Sequence, residues 1–149
     1  MSIMRSIIAV VVSYFVIAVV GMALFFTLVA VLPKDQLLQP GTFRATAIVN
    51  TAAIFIGLLA AAGGGMVCTR IGGPRPAMAL AAIVFALGAA MGVQNQMKPD
   101  PGMRPDDMSL MDAIAKAKEP TWIAVINPIL GVAGVMLGSW LARAKPPEK

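Results

Sequence analysis

Gln94–Pro128 reads QNQMKPDPGMRPDDMSLMDAIAKAKEPTWIAVINP, the one long polar insert in an otherwise apolar chain, and it closes inside the next apolar run. Five of the seven acidic residues fall in it: Asp100, Asp106, Asp107, Asp112 and Glu119. Pro99, Pro101 and Pro105 exclude a helix across 98–106, because each removes an N–H and restricts the residue before it. Gly102 adds a permissive turn position. The pattern then changes. Ser109-x-x-Asp112 is a capping-box-like start, with acidic residues at the N-terminal end and Lys116 and Lys118 near the C-terminal end, as the helix dipole favours. Leu110, Met111, Ile114 and Ala117 share a face, and Pro120 closes the element. The spacing predicts a short amphipathic helix over Ser109–Glu119. A helix this short is marginal in water. It is therefore expected to lie on a membrane surface or on the bundle rather than as a solvated connector.

On either side of the insert the composition is that of a membrane protein. The chain has 149 residues, 58% hydrophobic and 13% charged, with a mean hydropathy of +0.82. Soluble domains carry about 25% charged residues. The net charge of +5 fits the loop bias that orients membrane proteins and an attraction to anionic lipid. A nucleic-acid partner is not expected, since no basic patch interleaves with exposed aromatics. The lone cysteine, Cys68, allows no intrachain disulfide. The absence of histidine removes His-ligated haem, His–metal sites and imidazole acid–base chemistry.

Four spans are predicted, at about 7–32, 44–68, 77–93 and 122–142, with the extramembrane insert at about 94–121. The first run is ~39 Å long as a helix, against a hydrocarbon core of ~30 Å. It is too long for the apolar region of a signal peptide and ends Val-Leu-Pro-Lys, so an uncleaved span is expected. Thr69–Pro76, TRIGGPRP, reads as a tight basic turn. Trp122 and Trp140 bracket the fourth span as interfacial anchors. The fold class expected is all-α, an integral membrane four-helix bundle with a short amphipathic interfacial helix between spans three and four. It forms a single domain over 1–149.

Small residues mark the expected packing faces. In the second span these are Gly57, Ala61 and Gly65; in the third, Gly88 and Gly92; in the fourth, Gly131, Gly134 and Gly138. A phosphate cradle at Gly63–Gly65 is excluded, because no Lys-Ser/Thr follows and no strand precedes.

With four spans both termini share a side. Arg5, Arg70, Arg75, Arg143, Lys145 and Lys149 lie on it, in short segments close to span ends. Lys34, Arg44, Lys98, Arg104, Lys116 and Lys118 lie on the other, in longer segments. Density places the termini in the cytoplasm and the insert outside.

Chemistry is sparse. No span holds an interior ionisable side chain, which disfavours proton antiport and Schiff-base roles. Single Cys68 disfavours a quinone-linked thiol oxidant. Asp100, Asp106, Asp107 and Asp112 are hard oxygen donors without cation-loop spacing, and the eleven methionines are scattered. No metal site, cofactor site or catalytic residue is therefore expected. Asn50 and Asn127 are the informative polar pair, since an amide facing lipid alone is costly. They are expected either to bond each other or a backbone carbonyl, or to floor a small outward pocket roofed by Gln94, Asn95 and the insert. Pro128 frees the carbonyl of Ala124, which could serve either arrangement.

Pro99-Asp-Pro-Gly-Met-Arg-Pro105, Glu119-Pro-Thr-Trp122 and Asn127-Pro-Ile-Leu-Gly-Val-Ala-Gly134 resemble the loop and fourth helix of an uncharacterised family of small four-span bacterial inner-membrane proteins. The resemblance covers about a third of the chain and implies location, not activity. The expected function is a non-enzymatic accessory or scaffolding subunit of a membrane complex, with lipid and other membrane subunits as partners. The alternative is a carrier or channel for a small neutral solute.

Overall fold

The computed structural model describes residues 3–105 and 107–144. Asp106, Lys145 and Lys149, used above for charge and orientation, lie outside them. The elements are α1 (Ile3–Val31), α2 (Lys34–Leu37), α3 (Ala47–Gly72), α4 (Pro74–Met97), α5 (Leu110–Lys116) and α6 (Thr121–Ala144). Four of them, α1, α3, α4 and α6, are long and apolar enough to cross a bilayer. The chain is an all-α, four-helix membrane bundle.

The helix ends differ from the hydropathy reading for local reasons. Thr46 caps α3, its Oγ1 accepting from the Val49 N–H at 3.4 Å and donating to the Gln36 carbonyl at 2.5 Å. The helix then continues through Gly63–Gly65 and beyond Cys68 to Gly72. The expected turn over 69–76 shrinks to Gly73. Its φ of 83° suits a residue without Cβ, and its N–H donates to the Thr69 carbonyl at 2.8 Å. Pro74 and Pro76 start α4 instead of interrupting it, because the first-turn N–H groups they lack have no intrahelical partner. Pro128 lies within α6 without ending it.

α3 and α6 run parallel and form the most extensive contact. α1 packs on α3 and α4 on α6, with α1 and α4 meeting only slightly. Missing side chains make the closest approaches. A Cβ at Gly65 would run into the Val135 carbonyl, and one at Gly138 into the Ala62 carbonyl. A Cβ at Gly134 would lie 2.7 Å from that of Ala61 and 2.9 Å from the Leu58 oxygen. Lipid gives apolar side chains no reason to leave it, so close backbone packing has to hold such a pair. The buried centre is correspondingly small-residued: Ala9, Ala61, Cys68, Ala77, Leu80, Ala81 and Val135. Large apolar side chains such as Phe15, Phe55 and Met91 point outward. Trp122 and Trp140 are both exposed, ~27 Å apart along α6, close to the bilayer's hydrocarbon thickness.

A second, smaller core lies beyond the helices on the insert side. Leu38, Phe43 and Ala113 are buried together, with Met108, Leu110 and Ala117 against them. The amphipathic face of α5 thus docks on the α2–α3 loop. α5 also stops at Lys116, earlier than the expected Glu119, with the Ala117 N–H donating to the Ile114 carbonyl at 3.1 Å. Its start is as read: Ser109 Oγ accepts from the Asp112 N–H at 3.2 Å and donates to the Asp112 carboxylate at 2.7 Å.

Candidate functional site

The cap formed by these two loops is tied to the bundle by polar contacts at the end of α4. Asn95 Oδ1 accepts from the Glu119 N–H at 3.1 Å, and Gln96 Nε2 donates to the Glu119 carbonyl at 3.0 Å. Thr121 Oγ1 donates to Gln96 Oε1 at 3.0 Å, and Lys118 Nζ donates to the Lys98 carbonyl at 3.0 Å. The Arg104 N–H donates to the Gly41 carbonyl at 3.0 Å, joining the two loops. These bonds hold residues 118–120, which form no helix, and Thr121 at the start of α6 against the end of α4.

Between the loops opens a cleft of about 620 Å³. Arg44 and Lys118 bring positive charge to it, Asp100 and Glu119 negative charge, and Thr42, Gln96 and Thr121 uncharged polar groups. Burial pushes the Glu119 carboxyl above its ordinary value, with the Lys98 ammonium opposing the shift. The arrangement can receive a group bearing both charges, or a polar loop of another protein. The two threonine hydroxyls are committed to amide oxygens: Thr121 to Gln96, as above, and Thr42 to the Gln39 carbonyl at 3.2 Å. Among the described residues no group of three potential ligating side chains could hold a metal ion.

The four amides named from the sequence do not come together here. Asn50 donates its Nδ2 to the Ala45 carbonyl at 3.5 Å, just ahead of its own helix, and does not line the cap cleft. Asn127 is half-buried in α6 and makes no side-chain hydrogen bond among the described residues. Asn95 serves the cap as described, while Gln94 is exposed on another face of α4. The Ala124 carbonyl freed by Pro128 is covered by Gly92, where a Cβ would lie 2.9 Å from its oxygen. Of the small residues, Gly65, Gly134 and Gly138 line the α3–α6 seam, with Ala61 facing Gly134. Gly88 and Gly92 face Pro128 and Ala124, and Gly131 faces Val84. Gly57 faces open space. Gly64, not singled out in the sequence, lies where a Cβ would run into Ile17 of α1.

Sequence reasoning also missed a buried polar pair at the other end of the seam. Thr69 Oγ1 donates to Ser139 Oγ at 2.8 Å, and Arg143 Nη2 donates to the same oxygen at 3.3 Å. The spacing of Ser139 and Arg143 by one helical turn was the available signal.

The fold and cleft define a multi-pass helical membrane protein with a folded polar cap on the side away from its termini. No known protein family, curated protein or solved structure matches the chain.

Proposed function

We propose that the chain is a non-enzymatic accessory or scaffolding subunit of a membrane assembly, with the cap as its contact surface. The observation that carries this reading is the contrast between a closely packed seam and a cap whose cleft offers charges of both signs without an activated nucleophile. On this reading the bundle is a stable mount, and Arg44, Asp100, Lys118 and Glu119 are the recognition groups. Loop charge density supports cytoplasmic termini and an outer-side cap, and the motif resemblance supports a bacterial inner membrane. Native extraction in mild detergent tests the assignment. A co-purifying membrane partner whose crosslinks map to the cap supports it. A monomer with no partner, before and after crosslinking in the membrane, overturns it. Orientation is tested by Ser109→Cys. That thiol should react with a membrane-impermeant reagent in intact cells, whereas buried Cys68 stays silent. Labelling only after lysis would invert the topology.

A second reading, a carrier for a small neutral solute, is favoured by one feature. Asn127 keeps an unused amide one residue before the proline of α6. Asn127→Leu should abolish solute uptake into proteoliposomes on this reading and leave the subunit role untouched.

A further inference from the structure

At the termini side a groove of about 570 Å³ separates α1 from α4, which meet only slightly. Ile3, Ile7 and Val11 form one wall and Ala79 and Ile83 the other, with Arg75 at its end. From Ile3 to Val11 on α1, and from Arg75 to Ile83 on α4, the lining runs eight residue steps, ~12 Å, and half of a ~30 Å hydrocarbon core is ~15 Å. The groove therefore matches the depth of one leaflet.

Among the described residues, charge at this end of the bundle is of one sign. Arg5, Arg70, Arg75 and Arg143 all lie at this end. Every acidic side chain among the described residues (Asp35, Asp100, Asp107, Asp112 and Glu119) lies at the other. Arg5 is held by the Ile71 carbonyl through Nε at 2.6 Å. Arg75 is exposed in the first turn of α4, a 24-residue helix whose N-terminal dipole end also favours an anion. An apolar channel one leaflet deep, closed at the headgroup level by arginine, is complementary to an anionic amphiphile.

We infer that this groove is a binding site for an anionic phospholipid of the leaflet facing the termini. One acyl chain lies between α1 and α4, and the phosphate sits on Arg75. The site is separate from the cap and does not depend on what the cap binds.

Native mass spectrometry of the full chain in mild detergent tests this with phosphatidylglycerol and phosphatidylcholine of identical acyl chains. Phosphatidylglycerol should be retained preferentially. Arg75→Gln should reduce that preference about fivefold, the effect of one surface arginine near anionic headgroups, and Arg75→Lys should largely keep it. Ala79→Trp, which fills an open wall, should reduce retention of phosphatidylglycerol while the helical circular dichroism is unchanged. Equal retention of the two lipids by the native chain would overturn the inference. So would an unchanged preference in Arg75→Gln, or full displacement of the lipid by equimolar glycerol phosphate, which has the headgroup charge but no acyl chain.

Discussion

Between α3 and α6 the chain meets itself at Gly65, Gly134 and Gly138, where side chains are missing. Between α5 and the α2–α3 loop it meets itself at Leu38, Phe43 and Ala113, where apolar side chains are gathered. The difference follows the solvent. In lipid an isoleucine gains little by turning inward, so contact comes from backbones that can approach closely. In water, removing even a few apolar side chains from solvent is favourable, and the short α5 is stable because Ala113 and its neighbours are covered. One sequence thus uses two rules for cohesion, and the boundary between them falls where Asn95 and Gln96 bond to Glu119 and Thr121.

The sharpest way to break this comparison is to add a side chain to the seam. Gly138→Val places atoms in the Ala62 backbone and should destabilise the bundle by more than about 3 kcal/mol, the upper range for overpacking. Gly57→Ala, facing open space, should stay within about 0.5 kcal/mol of the parent. Thermal melts in detergent compare them. Similar melting points for the two variants would mean that α3 and α6 do not meet as described.

The reverse operation belongs in the cap. Phe43→Ala removes the largest member of its cluster and should cost that region about 3 kcal/mol, the low end for phenylalanine truncation. The loss should appear as faster amide exchange and proteolysis over 98–120, with the bundle's melting unchanged. A matching fall in bundle stability would show that cap and bundle are one cooperative unit.

A smaller effect separates polar from close-packed cohesion within the seam. Thr69→Val and Ser139→Ala, with their double variant, should show a coupling of about 0.6 kcal/mol, as measured for polar pairs in membranes. Zero coupling would assign that end of the seam to packing alone.

The smallest effect is a pH dependence of the cap. The raised pKa of Glu119 means that the folded cap binds a proton more tightly than the unfolded segment. Its contribution is therefore fully present below the ordinary carboxylate value and is lost as pH rises through the folded value. Exchange protection over 98–120 should increase on mild acidification, and Glu119→Gln should flatten the response. A native cap that loses protection as pH falls over that window would contradict the partial desolvation of this carboxyl.

The four spans were legible because long apolar runs leave few alternatives. Their ends were less so. The stretch 72–76 carries every residue type of a turn, yet four of the five positions are helical, since proline is unopposed in a first turn and one glycine at positive φ suffices to reverse the chain. In the cleft the sequence pointed to Gln94, and the structure uses Gln96. Two residues apart on a helix is a turn of ~200°, so the choice depends on helix rotation, which neighbouring helices set. The Asn50–Asn127 pairing failed for a related reason. Similar depth does not fix azimuth, and Asn50 took the carbonyl alternative, bonding Ala45 just ahead of its own helix. Thr69 and Ser139 were passed over because a hydroxyl in a helix can always bond one turn back; that it bonds across helices is a tertiary fact.

The single-residue joint at Gly73 also bears on how the chain enters a bilayer. α3 ends at Gly72 and α4 begins at Pro74, so consecutive Cα steps of ~3.8 Å are all that separate the two spans at that end. Neither can cross without drawing the other with it. The pair is expected to insert as a hairpin, whereas α4 and α6 are separated by a longer segment with its own small core. Lengthening the joint at Gly73 with flexible residues would uncouple the two insertions, making the order of assembly a property of one peptide linkage.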